Sequence, residues 1–193
     1  MRRWKRPQFI EKRGLSPAER GTALHMAMQF GRYERMLTRF DCREELSRLV
    51  REAYLTQEQA EAVSEEKILR FFHSELGQRL RRSPEVRREF KFSLPVSPEL
   101  YTEGPSALKK PVPGGDSVLL QGVIDCFFLE DGEYVIVDFK TDAGTPPARA
   151  MAHYRPQLEA YAHAVARITG RPVRECVLYL FSTGETASLC PEA

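Results

Sequence analysis

The 193-residue chain has no apolar run long enough to span a bilayer, and no apolar stretch of the signal-peptide kind follows the basic start MRRWKRPQF. A cytoplasmic protein without membrane attachment is therefore expected. There are four cysteines, Cys42, Cys126, Cys176 and Cys190, and no C-x-x-C spacing among them. Neither a zinc site nor a disulfide framework is indicated, and reduced thiols are expected. No G-x-x-x-x-G-K-[ST] sequence occurs, which excludes a P-loop ATPase by that motif. Internal repeats are missing too. The excess of one charge sign is small, +2 overall, but unevenly spread: residues 1–40 hold ten Lys or Arg against three acids, Glu11, Glu19 and Glu34. A second basic stretch, 67–91, includes Arg79, Arg81, Arg82, Arg87 and Arg88. Such patches supply sequence-independent attraction to phosphates; either alone also reads as a solvated helix face.

With 42% hydrophobic residues the chain can bury one sizeable core, and residues 1–193 read as a single domain. Ser16-Pro17-Ala18-Glu19 is a helix start, with a Ser N-cap, Pro at the first helical position and Glu placed to close a capping box. A helix from Pro17 to about Thr38 should follow, with further helices over 43–54 and 57–81, so that 17–82 is mainly helical. Residues 86–94 read as a strand. Residues 97–117, rich in Pro, Gly and Ser, read as an exposed loop insertion. Pro156 near a first turn and Gly170 followed by Pro172 bracket another helix. A last strand covers 173–181, and the tail from 182 reads as loose. This order predicts a mixed β-sheet flanked by helices, an α/β core over 86–182.

The most informative stretch is QGVIDCFFLEDGEYVIVDFKTD, residues 121–142. It reads as two strands joined by an Asp131-Gly132 turn, a strong hairpin signal. If those two residues are the turn centre, Glu130 faces Glu133 and Asp125 falls opposite Asp138. Directly opposed like charges destabilise a sheet. Val135-Ile136-Val137 suggests a strand covered on both faces, where an unpaired carboxylate would cost several kcal/mol. A divalent cation would resolve both problems. Lys140, two residues on, shares the face of Asp138, while Phe139 points away. Asp138 and Lys140 could equally form a plain ion pair at a strand end, with Asp125 in another register.

Gly21 and His25 lie four apart in the first helix, on one face. His25 alone reads as a core or surface histidine, although neutral imidazole is a common metal ligand. Gln157 and Tyr161 share a helical face by the same spacing. Glu89, in VRREFKF, reads as an outward-facing charge unless its strand borders the hairpin.

Taken together, GTALH, REFKF, GVIDCFF, VDFKTD and QLEAYAHAV resemble, in order and content, the RecB-family nucleases of the PD-(D/E)XK superfamily, from Gly21 to about Gly184. The closing VRECVLYLFSTGE is similar to the end of the nuclease domain in AddA, the helicase-nuclease subunit of AddAB recombination complexes, and the missing ATPase motif fits a C-terminal domain of such a protein. The resemblance implies a restriction-endonuclease-like core. It also implies Mg²⁺, with Mn²⁺ substituting, held by His25, Asp125, Asp138 and the backbone carbonyl of Phe139. Lys140 would act with Asp125 and Asp138 in catalysis, and Gln157 and Tyr161 would support the site and contact DNA. The implied activity is that of a metal-dependent DNA exonuclease in double-strand break repair. Its partners would be a helicase region of the same polypeptide and an AddB-like second subunit. No iron–sulfur cluster is expected, because the cysteine spacing does not supply one. Two other readings stay open: a free-standing RecB-like exonuclease, and a non-catalytic DNA-binding module with the same fold.

Overall fold

The structure, a computed structural model, describes residues 14–96, 118–141 and 144–191. The basic N-terminal stretch and the 97–117 insertion lie outside them. The chain divides into two compact units, Met1–Glu66 and Lys67–Ala193.

In the first unit the Ser16 start forms as a capping box. Ser16 Oγ accepts the Glu19 amide at 3.3 Å, and Glu19 Oε2 accepts the Ser16 amide at 2.7 Å. This opens α1, Pro17–Phe30. The helix stops at Gly31 and not at Thr38: the backbone turns extended at Gly31, with φ −70° and ψ 148°, and only glycine fits there, since a Cβ would lie 2.1 Å from the Met36 side chain and 2.5 Å from the Ala27 carbonyl. After a 3₁₀ turn, Tyr33–Arg35, comes α2, Arg39–Arg51, capped by the Thr38 hydroxyl. Glu45 of α2 is buried and accepts the Arg32 amide and the Arg48 guanidinium. Burial works against its charge, yet these partners hold its carboxyl below the usual range.

The helix expected over 57–81 is three helices: α3, Gln57–Ala62; α4, Glu65–His73; and α5, Glu75–Arg82. Ser74 makes the second break. Its hydroxyl accepts the Gly77 amide at 3.2 Å, the local bond by which serine favours a cap over a helix interior.

The second unit is built on a five-stranded sheet in the order β1-β2-β3-β4-β5. The strands are β1, Val86–Val96; β2, Val118–Glu130; β3, Glu133–Lys140; β4, Val173–Leu180; and β5, Glu185–Leu189. All neighbours are antiparallel except β3 and β4. A parallel pair needs a crossover, supplied by α6, Pro147–Thr169. α6 starts nine residues before Pro156, which the helix contains, and β5 occupies the tail that reads as loose. α6 lies on one sheet face, where Leu158, Tyr161 and Val165 join Ile124, Phe127, Tyr134 and Ile136 in one core. Phe71 of α4 packs on the other face against Phe139, Tyr179 and Phe181. The hairpin tip is fastened by charges. Arg79 pairs with Glu130 at 2.7 Å and with Glu175, while Arg174 pairs with Glu130 and, at 3.4 Å, with Asp131.

Candidate active site

Asp131 and Gly132 have φ of 52° and 90°, the two positive values that a type I′ turn demands. Glu130 faces Glu133, and the ladder runs inward to Cys126 opposite Val137. The same register sets Asp125 against Asp138. Backbone pairing ends one step before, and Asp125 Oδ2 accepts the Phe139 amide at 2.8 Å instead. A side-chain oxygen thus replaces a carbonyl where β2 parts from β3, and the carboxylate is held in place by that bond.

Asp138 is 3% exposed. Its Oδ2 lies 2.6 Å from Lys140 Nζ, and the same ammonium sits 3.9 Å from the Tyr154 ring centroid. Phe139, between them in sequence, turns to the opposite face, edge-on to Phe71 at 5.2 Å.

β1 borders the hairpin, which brings in Glu89. Arg88 pairs with Cys126 and Phe90 with Ile124, so Glu89 falls opposite Asp125. Glu89, Asp125 and Asp138 therefore form a row across three strands. Glu89 has φ of 48°, in the left-handed region where an L-residue is strained. Ile124 and Phe127 both enter the core beneath α6 although they are three residues apart. The twofold alternation of β2 therefore slips at Asp125, level with the strained Glu89. Irregularities of this kind re-aim side chains beside active sites.

From α6, Gln157 Nε2 donates to the Tyr161 phenol oxygen at 2.6 Å. Gly122 makes room for this arrangement: a Cβ there would lie 2.8 Å from Phe92 and 3.2 Å from Tyr161. Burial raises the Tyr161 phenol above its ordinary value; the Gln157 hydrogen bond opposes the rise, and the charges of Asp138, Asp125 and Glu89 add to it. The phenol thus lies in the field of all three carboxylates. Among the sequence-derived residues, Asp125, Asp138, Phe139, Lys140, Gln157 and Tyr161 belong to this second unit. His25 belongs to the first, where it is half-buried in α1. Among the described residues no group of three or more His, Cys, Asp or Glu is arranged to hold a metal ion. No helix among them is long and apolar enough to cross a membrane.

Residues 2–188 match the model of the PD-(D/E)XK nuclease superfamily. The chain belongs to this superfamily. Its five-stranded mixed sheet between helices is that superfamily's restriction-endonuclease-like α/β fold. The chain is 38% identical over 182 residues to a subunit of the ATP-dependent helicase/nuclease of Clostridium novyi (strain NT), covering 92% of this chain and 14% of that protein. It is also 38% identical over 183 residues to the protein of the same name from Desulforamulus reducens, covering 93% and 14%. It therefore spans about 14% of the length of these curated relatives. Among solved structures, that of SSO0001 aligns with a TM-score of 0.39 at 12% identity, over 91% of this chain and 78% of its own, too distant to bear on the site.

Proposed function

We propose that this PD-(D/E)XK nuclease is a Mg²⁺-dependent deoxyribonuclease domain, the exonuclease part of an ATP-dependent helicase-nuclease in double-strand break repair and recombination. The observation that carries the reading is the meeting of Asp125 and Asp138 where β2 parts from β3, with Lys140 paired to Asp138. Two neighbouring carboxylates repel and one of them is almost fully buried, so a cation is the natural third party. Mg²⁺ keeps several waters and takes only one or two protein carboxylates, which suits a donor set this sparse.

Asp125 and Asp138 would hold the ion, with the Phe139 carbonyl as a further ligand. Bound there, Mg²⁺ supplies neutralisation of phosphate charge and acidification of water. The rest falls to the chain's own groups. Lys140, fixed between Asp138 and the Tyr154 ring, orients the attacking water and offsets charge gathering on the phosphate oxygens. Glu89 extends the carboxylate row and positions water. Gln157 occupies an acceptor site of the Tyr161 oxygen, leaving the phenol its own O–H to donate to a phosphate. In the basic stretch 67–91 the exposed Arg81 and Arg82 draw in DNA. The proposed partners are the helicase region of the same polypeptide and an AddB-like second protein, and the proposed compartment is the cytoplasm.

The test is cleavage of end-labelled single-stranded DNA with Mg²⁺, Mn²⁺ or EDTA, beside a filter-binding assay. Wild type should cut only with metal, and Lys140→Ala should bind DNA without cutting. A wild type that binds yet never cuts, even with Mn²⁺, would replace the enzyme by a binding module.

A further inference from the structure

We propose that the cavity between the end of β3 and the first two turns of α6 seats an internal phosphodiester of a single DNA strand, adjacent to the bond being cut, and that Arg149 and His153 hold it. The proposal rests on the deoxyribonuclease reading and adds a substrate seat to it.

The cavity measures about 380 Å³, and its polar wall is formed by Lys140, Thr145, Arg149, His153 and Tyr154. Ligand sites span roughly 300–1,000 Å³, so this one has room for a single nucleotide unit. Among the described residues, every charged side chain in the wall is cationic or imidazole, so the complementary ligand is an anion. Arg149 and His153 lie four residues apart on one helical face, and both are exposed. Among the described residues neither has an acidic partner. The guanidinium fork of arginine suits phosphate oxygens in particular.

The cavity is joined to the carboxylates by direct contacts. Asp138 holds Lys140, Lys140 lies over the Tyr154 ring, and His153 packs edge-on to that ring at 4.7 Å. An anion touching Arg149 and His153 therefore lies next to the lysine that faces the scissile phosphate. In a polynucleotide that anion is the neighbouring phosphodiester.

Binding of a fluorescent single-stranded oligonucleotide to the full chain, measured in Ca²⁺ across a salt series, tests this. Arg149→Ala and His153→Ala should each weaken binding roughly tenfold. Arg149→Ala should also make the salt slope shallower by about 0.7. Arg155→Ala, whose guanidinium is paired with Glu159 at 3.3 Å, should change neither. A neutral methylphosphonate scanned along the strand should weaken wild type at one linkage, and that same linkage should cost nothing more in Arg149→Ala. Equal losses in Arg155→Ala, no position-dependent coupling, or a loss that follows removal of a terminal phosphate would each overturn the proposal. A wild type that shows the coupling yet cuts no DNA removes the nuclease reading and leaves the phosphate seat standing.

Discussion

Asp125 and the Phe139 amide are joined by a 2.8 Å hydrogen bond that takes over where β2 stops pairing with β3. One carboxylate thus has a structural task and a proposed chemical one, and two substitutions separate them. Asp125→Asn keeps an acceptor for the amide and loses the charge. Asp125→Ala loses both and leaves a half-buried N–H without its acceptor, costing about 1–3 kcal/mol. Cleavage should fall at least about a hundredfold in both variants. Urea unfolding should register a loss only in the alanine variant.

The Asp138–Lys140 pair has side chains only 4% and 16% exposed. Removing one partner of such a pair strands the other's charge away from water. Lys140→Ala should therefore lower stability by about 2–3 kcal/mol in EDTA. Millimolar Mg²⁺ should restore part of that loss, since a ligand of the folded state stabilises it. A melting temperature unchanged by the substitution would show that the pair carries no such burden.

Glu89 sits at φ 48° in the middle of a strand, a conformation that costs an L-residue about 1–2 kcal/mol. Strain at such a position is expected where function requires the side chain. Glu89→Gly should leave stability equal or slightly raised while the rate of DNA cleavage drops. If the rate is untouched, Glu89 has no part in the site.

Stability should also fall on the alkaline side. Burial pushes the Cys176 thiol, packed against the Leu158 carbonyl, from 9.0 up to about 12, and neighbouring carboxylates add to the rise. A group whose pKa is higher when folded contributes its full stabilisation below its unfolded value, and loses it as pH climbs to the folded one. The contribution of Cys176 should thus be intact up to pH 9 and fade toward 12. Denaturant midpoints measured across that window should decline less steeply in Cys176→Ala.

The hairpin is legible in the sequence because its rules are local. Asp-Gly fixes the turn, the turn fixes the register, and the register carries Asp125 to Asp138 by counting. What escapes depends on neighbours the sequence does not name. Whether Glu89 faces the site depends on β1 lying beside β2, a tertiary pairing. The break between α4 and α5 rests on Ser74, whose hydroxyl can cap or sit mid-helix with equal propriety. β5 is a short edge strand, ETASL, too polar to stand out from a tail. Pro156 reads as a helix start, since proline favours first turns, but Pro147 holds that place and Pro156 lies within the helix.

The arginines at the Asp131 turn fasten the end of the hairpin remote from Asp138 and Lys140. Endurance and the proposed chemistry are thereby lodged at opposite extremities of a single ribbon. Redesign of residues 79, 130 and 174 can make the protein hardier or frailer without disturbing its working end.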